Sequence, residues 1–311
     1  MGHRPAVCSV AISLSILLLA PAAARAQENA PKDWRDDPRA ALRLSVEPFA
    51  IAGFNTNFNS GGDLSVRRAG WRLAMRQPIS RKLVASLNAE NEYSFNHFNL
   101  PPLLGGGDPI DLLTTVRFLP SLTYIVNDRW TATVTARFAY SAESGAEFGG
   151  SLLGGVSFTA RRKVNDRLTI GLGVSIMQQL EDTVQVFPFP RLDWRPTEAW
   201  RIYTDTINLG VNAERSLGDF WFVKAHARIR PREYRLDNGP GSLLRNGVFR
   251  DESILVGVEI AWRPRDGVEA ALEVGSIVFQ QIELLDATGE EQFDDNANPT
   301  VFVSGRLRLR F

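Results

Sequence analysis

Arginine is the residue whose spacing could do chemistry in this chain. Arg68, Arg72 and Arg76 fall four apart, Arg228 and Arg230 two apart, and Arg306, Arg308 and Arg310 close the chain at alternate positions. Arg117, Arg137, Arg191 and Arg195 stand elsewhere. A guanidinium is permanently charged and grips carboxylates and other oxyanions with paired donors. Carboxylates recur with the same alternation: Glu47, Glu90, Glu92, Asp193, Glu259 and Glu273. On a strand, residues two or four apart share a face. Two arrangements are therefore open. The charges can ring a narrow lumen and favour anions, which makes Arg72, Arg76, Arg137, Arg191, Arg228, Arg230, Arg306, Arg308 and Arg310, with Glu90 and Glu92, the candidates for selectivity. Alternatively they neutralise one another inside a filled interior.

Catalytic and metal chemistry are poorly provided for. Beyond the first few residues the chain has two histidines, His97 and His226. A nucleophilic serine needs a base within reach and a third group to orient it, and no serine is marked out by a local motif beside a fitting histidine. His97 reads as a loop residue, and His226 as one member of the charge network of Lys224, Arg228 and Arg230. The acidic stretch Asp286–Asn296 lacks the spacing of a calcium-binding loop and reads as a solvated, flexible loop. No catalytic residue, metal or cofactor is assigned.

Composition narrows the class. Arg4, the apolar run Val7–Ala20 and Ala24-Arg25-Ala26 have the layout of a secretory leader over residues 1–26. Removing Arg4 and Arg25 leaves 33 basic residues against 35 acidic ones, a net charge of −2, which argues against nucleic acid as partner. The one cysteine, Cys8, lies in the leader, so no disulfide framework follows. Residues 27–40 are polar with two prolines and read as a flexible lead-in.

The elements that must carry the arginines are strands. Leu42–Phe54, Leu64–Gln77, Leu83–Phe98, Ile110–Val126, Trp130–Tyr140, Ser151–Lys163, Leu168–Glu181, Val184–Arg195, Phe220–Arg230, Phe249–Arg263 and Val268–Leu284 alternate apolar with polar residues. A helix would space them three and four apart. Val126-Asn127-Asp128-Arg129 recurs as Val164-Asn165-Asp166-Arg167, and Asn-Asp is turn chemistry. Short turns of this kind alternate with longer Gly/Asn/Asp-rich loops such as Asn99–Pro109. Trp130, Trp200, Trp221 and Trp262 all stand beside short turns, as aromatics do at a membrane–water interface. Residues 199–217 offer little room for two full spans, so the count stays between 12 and 14 strands.

The last stretch, PTVFVSGRLRLRF at Pro299–Phe311, resembles the C-terminal signature of bacterial outer-membrane β-barrels. That resemblance implies that Phe311 is part of the signal read by the barrel assembly machinery. PREYRLDNGPG at Pro231–Gly241, with the hairpin after it and the closing GRLRLRF, resembles a family of proteobacterial outer-membrane barrel proteins of unassigned function. The expectation is a transmembrane antiparallel up-and-down β-barrel over residues 41–311, a monomer in outer-membrane lipid with a narrow pore or a passive structural role. A lipase- or deacylase-type outer-membrane enzyme and a soluble β-sandwich are the competing classes.

Overall fold

The computed structural model describes residues 41–99, 110, 112–181, 184–205, 209–239, 244–265 and 267–311. The expected leader and lead-in, and nearly all of the expected loop Asn99–Pro109, lie outside the described residues. The alternating segments form strands: β1 (Arg43–Gly53), β2 (Thr56–Asn57), β3 (Asp63–Pro78), β4 (Leu83–Asn99), β5 (Leu113–Ile125), β6 (Trp130–Glu143), β7 (Leu152–Asn165) and β8 (Leu168–Met177). They continue with β9 (Gln185–Trp194), β10 (Trp200–Asp205), β11 (Gly210–Ser216), β12 (Trp221–Arg235), β13 (Val248–Arg265), β14 (Val268–Leu285), β15 (Glu291–Ala297) and β16 (Thr300–Arg310).

Apart from the short β2 and β15, each strand pairs antiparallel with its neighbours along the chain, and β1 pairs with both β3 and β16, which closes the sheet. β2 and β15 are short additions on β3 and β14. The remaining fourteen strands make a closed up-and-down barrel, the upper end of the expected range. Closure matters because a strand edge left open in hydrocarbon exposes backbone donors and acceptors with no partner.

Burial is inverted relative to a soluble protein. Leu272 is 74 % exposed, whereas Glu269, three residues earlier on β14, is 0 % exposed. The outer wall carries exposed Phe138, Phe158, Leu172, Val186, Ile229, Ile260 and Val303, an apolar face suited to lipid. Turns sort by side. Asn127 Oδ1 accepts the N–H groups of Arg129 and Trp130, both at 2.9 Å, and Asn165 Oδ1 accepts that of Arg167 at 2.9 Å. Gly267 turns β13 into β14 with φ +91, a conformation that favours glycine. These turns share one end of the barrel with Leu44 and Phe311, whose backbone groups bond each other. This is the short-turn end, and the opposite one is the loop end.

The interval 199–217, expected either as a short hairpin or as a segment that does not span, forms a hairpin of two short strands, β10 and β11, and residues 206–208 between them lie outside the described residues. Three segments differ from expectation. β8 stops at Met177, and Gln178–Glu181 leaves the wall. β12 continues past Arg230 to Arg235, because Pro231 turns its missing N–H away from β13 and costs no ladder bond with it. The acidic stretch Asp286–Asn296 is mostly paired, not flexible: β14 outruns the wall and β15 adds to its free edge, from Gln280↔Ala297 to Leu285↔Glu291.

At the loop end the interior fills with an apolar cluster. Leu64, Val66, Phe98, Leu113, Tyr234, Phe249, Ile282 and Leu284 point inward and are buried. Phe98 meets Phe249 edge-on at 5.3 Å and Tyr234 stacks on Phe249 at 5.8 Å. β12 reaches across to β6, pairing Arg235 with Ala142. The other face of this cluster is also covered, by Leu153 and Leu180 packed on Val248 and Leu285.

The turn before β15 depends on Asp286, whose carboxylate accepts hydrogen bonds from the Thr288 hydroxyl at 2.7 Å and the Glu290 N–H at 3.0 Å. Chiefly through the Thr288 bond, its carboxyl titrates below the ordinary value of 3.8. A lowered native pKa stabilises above the unfolded value and is lost as pH falls through the native one. The protection factors of amides in Glu291–Ala297, exchange measured against the intrinsic rate at each pH, are therefore expected to be high near neutrality and to fall below that ordinary value, while those of β13 hold. Exchange with equal acid sensitivity in both strands counts against this account.

Candidate permeation site

The interior divides into two halves of different chemistry. The half formed by β16, β1, β3 and β4, with the facing parts of β12 to β14, is packed with ion pairs. Glu47 receives Arg72 at 2.9 Å, Arg306 at 3.2 Å and Arg308 at 2.6 Å. Glu269 receives Arg263 at 2.8 Å, Arg306 at 2.5 Å and Arg310 at 2.8 Å. Glu259 takes Arg306 at 2.7 Å and Lys224 at 2.8 Å. Glu90 takes Arg72 at 2.7 Å and Arg117 at 3.4 Å, and Glu92 takes Arg232 at 2.9 Å. Higher in the barrel, Asp251 holds Arg68 at 2.6 Å. His226 Nε2 lies 2.8 Å from Glu273, with Arg228 at 3.9 Å from the same oxygen.

The reason is electrostatic. A carboxylate removed from water is tolerated only with charge partners and hydrogen bonds around it, and Glu47, Glu90, Glu92, Glu259 and Glu269 are all buried. Arg72, Arg306, Arg308 and Arg310 of the expected set are thus neutralised in place, with Glu90 and Glu92, and Arg228 sits at the edge of the same network.

The other half, lined by β5 to β9, holds a cavity of about 300 Å³ with a hydroxyl surface. Ser121 and Thr135 bond each other at 2.9 Å, as do Thr123 and Thr133 at 2.9 Å. Ser157, Thr159 and Ser175 continue the surface. Gly173 faces inward on β8, and the Phe189 ring lies over it so closely that a Cβ there would sit 2.2 Å from the ring. Arg137, Arg161 and Arg191 line this cavity. Arg137 donates to Met177 Sδ at 3.1 Å, and none of the three forms an ion pair among the described residues.

Ser86 and Asn88 also line a second space of about 590 Å³ at the short-turn end, beside Arg43, Arg76 and Arg310. The two spaces thus meet on the same two side chains. Arg76 sits at this mouth, exposed. Toward the loop end the open half narrows to about 70 Å³ between Arg137, Ser141, Gln178, Gln185 and Glu233. Glu233 also accepts the Leu180 N–H at 3.0 Å, and the Leu180 carbonyl accepts from Arg250 at 3.0 Å.

Trp130, Trp200, Trp221 and Trp262 stand at the short-turn ends of β6, β10, β12 and β13, each between 38 and 50 % exposed on the outer wall. Trp221 and Trp262 are cross-strand partners with ring centroids 6.5 Å apart. Arg162 and Arg215 lie over Trp130 and Trp200. His97 is exposed near the loop end of β4. Among the described residues no group of three or more His, Cys, Asp or Glu could hold a metal ion.

Sequence reasoning missed Arg232, Arg235, Asp251, Arg263 and Glu269. The first two follow Pro231, where the alternation continues unbroken and could have been followed. Nothing local singles out Glu269, since its partners lie on strands far away in sequence.

A closed wall, an apolar exterior and a charged, hydroxyl-lined interior define a transmembrane β-barrel. The chain belongs to the family described as a domain of unknown function (DUF6268), which matches residues 122–311. No curated protein sequence matches it. Among solved structures it is similar to the P. putida toluene transporter TodX, with 8 % identity, 91 % of each chain covered and a TM-score of 0.45. It is similar to the COG4313 outer-membrane channel from Pseudomonas putida F1, with 9 % identity, 91 % of this chain and 100 % of that one covered, and a TM-score of 0.46. The KdgM porin gives 9 % identity, 86 % and 99 % coverage, and a TM-score of 0.35. At these values the likeness carries no argument about what this chain does.

Removing one member of a buried ion pair costs about 3–5 kcal/mol, because its partners keep their charge. Glu269→Gln leaves Arg263, Arg306 and Arg310 facing one another. It is expected to lower the temperature at which the barrel loses its heat-modifiable gel mobility, whereas Glu291→Gln, exposed at the start of β15, leaves that temperature unchanged.

Proposed function

We propose that this protein is a passive, anion-favouring conduit of the outer membrane. The observation that carries the reading is the contrast between the two halves. Arginines on one side are cancelled by carboxylates, while Arg137, Arg161 and Arg191 on the other face a hydroxyl-lined cavity and form no ion pair among the described residues. Uncancelled charge in a narrow passage raises the local concentration of the opposite ion. Serine and threonine can replace part of the shell that a small anion sheds on entry. Arg76, exposed at the mouth beside the Glu269-paired Arg310, extends the same potential to the short-turn end. In an outer-membrane orientation that end faces the periplasm.

The competing enzyme reading has less support. The His226 ring lies 2.8 Å from Glu273 inside the ion-paired half, and Ser304 donates its hydroxyl to the same carboxylate at 3.0 Å, with no hydrogen bond between Ser304 and the ring among the described residues. Export by the leader, insertion as a monomer and recognition of the terminal strand by the assembly machinery complete the proposal. Phe311 is exposed at the short-turn rim and bonds only through its backbone to Leu44, so its ring is free to be read during assembly.

Planar-bilayer recording of the mature protein is expected to give small ohmic steps with anion preference under a salt gradient. Arg191→Ala and Arg161→Ala move the reversal potential toward neutrality, and Arg308→Ala leaves it nearly unchanged. A silent bilayer with correctly folded protein would falsify the conduit. Deleting Phe311 is expected to cut the fraction reaching the membrane in heat-modifiable form, without changing conductance of the molecules that fold. Equal folded yields for the truncated and full chains would remove Phe311 from the assembly signal.

A further inference from the structure

The wall closes through β10 and β11 toward the short-turn end, but toward the loop end the described residues leave it open at one place. β10 and β11 have six and seven residues, against the roughly 9 to 11 that a tilted strand needs to cross a bilayer. β9 pairs with β10 only at Trp194 and Asp193, and β12 pairs with β11 only as far as Arg228. Beyond the hairpin, β9 from Gln185 to Leu192 and β12 from Arg230 to Arg235 have no described strand between them.

Two facing edges of this kind would normally present unpaired N–H groups to lipid. Here the sequence fits the break. Successive N–H groups along a strand point to opposite sides. Leu192 turns its N–H toward β10, where Thr204 Oγ1 accepts it at 3.0 Å. The preceding positions of that parity are Pro190 and Pro188, which have no N–H. On β12 the Ile229 N–H turns toward the hairpin and meets the Leu209 carbonyl at 3.3 Å. The next position of that parity is Pro231, again without a donor. The Glu233 carbonyl beyond it accepts the Ser141 hydroxyl at 2.5 Å. Proline is tolerated in sheets where no ladder bond is required of it. All three prolines are placed on the side of their strand that faces the break.

Charge lies directly behind the break. Arg137 and Arg230 line one small cavity with Arg117, Arg232, Leu209, Ile229 and Pro231, where Glu90 is the one carboxylate against four guanidinium groups among the described residues. Arg230 is 8 % exposed, and its Nε has no hydrogen-bond partner. Neither Arg137 nor Arg230 forms an ion pair among the described residues. Beside them Phe187 and Phe189 face the hydroxyl-lined cavity together with Leu209. Leu209 holds φ +42, a conformation uncommon for a branched apolar residue.

We infer that the break between β9 and β12 is a lateral window for a single-chain anionic amphiphile, a carboxylate on an apolar tail. The head is held by Arg137 and Arg230, and the tail lies along the proline edges and the two phenylalanines. The window links the bilayer to the lumen, and the inference rests on the conduit reading for that lumen.

Two measurements test it. The mature chain has no cysteine, so nitroxides can be placed singly at Phe187→Cys, Phe189→Cys and Thr133→Cys in protein reconstituted into phosphatidylcholine vesicles. Oxygen, which partitions into lipid, is expected to dominate collisions at positions 187 and 189, and an aqueous nickel chelate at position 133. Chelate dominance at all three overturns the window. Dansylaminoundecanoate is expected to bind saturably, weakened about tenfold or more by Arg230→Ala or Arg137→Ala through loss of a charge-assisted hydrogen bond. The corresponding alcohol is expected to bind weakly and equally to all three proteins. Equal binding of the acid and the alcohol overturns the head-group site. Conductance without lipid access or acid binding removes this inference and leaves the conduit. Lipid access and arginine-dependent binding in a protein that never conducts remove the conduit and leave the site.

Discussion

Everything in this fold follows from one constraint: a backbone N–H or C=O inside hydrocarbon must find a partner within the protein. A sheet meets it only by closing on itself, so β1 is bonded on one edge by β3 and on the other by β16. Closure fixes the number of strands and brings both ends of the described chain to one rim. It also turns every alternate side chain inward, polar or not. The interior must then absorb whatever charge the inward positions carry, and the exterior must be apolar along each strand.

The charged interior is handled in two ways within one barrel. On the side of β1, β3, β4 and β16, glutamates and arginines fill space and cancel, so that half behaves as a core made of ion pairs. Such pairs contribute little net stability compared with apolar packing, yet each member becomes indispensable once its partners are present. The apolar cluster at the loop end continues the filling with ordinary side-chain packing. On the side of β5 to β9 many inward residues are small, and serines, threonines and Gly173 leave a cavity whose arginines form no ion pair among the described residues.

A good deal of this was legible beforehand. Period-two alternation in Trp130–Tyr140 or Val301–Phe311 is a local property, and the strands appear where it runs. Asn127 and Asn165 mark turns because their side chains bond the backbone two residues on, which also needs only neighbouring sequence. Pro231 misled, since a proline inside an alternating run reads as a stop unless the side facing its neighbour is known. The stretch Asp286–Asn296 misled for a related reason: acidic, polar residues read as solvent-exposed loop, but an overhanging strand edge gives them a partner.

By itself the sequence determined that the chain forms strands, which residues of each share a face, and that one set of faces is rich in arginine. Tertiary structure alone decided which arginines are cancelled. Arg306 meets Glu47 across 259 residues and Glu259 across 47, whereas Arg137, Arg191 and Arg230 meet no carboxylate among the described residues. The difference is physical. Face and period are set by each residue's own backbone geometry, but a charge's partner depends on which strands closure and register place opposite it, and no local pattern encodes that.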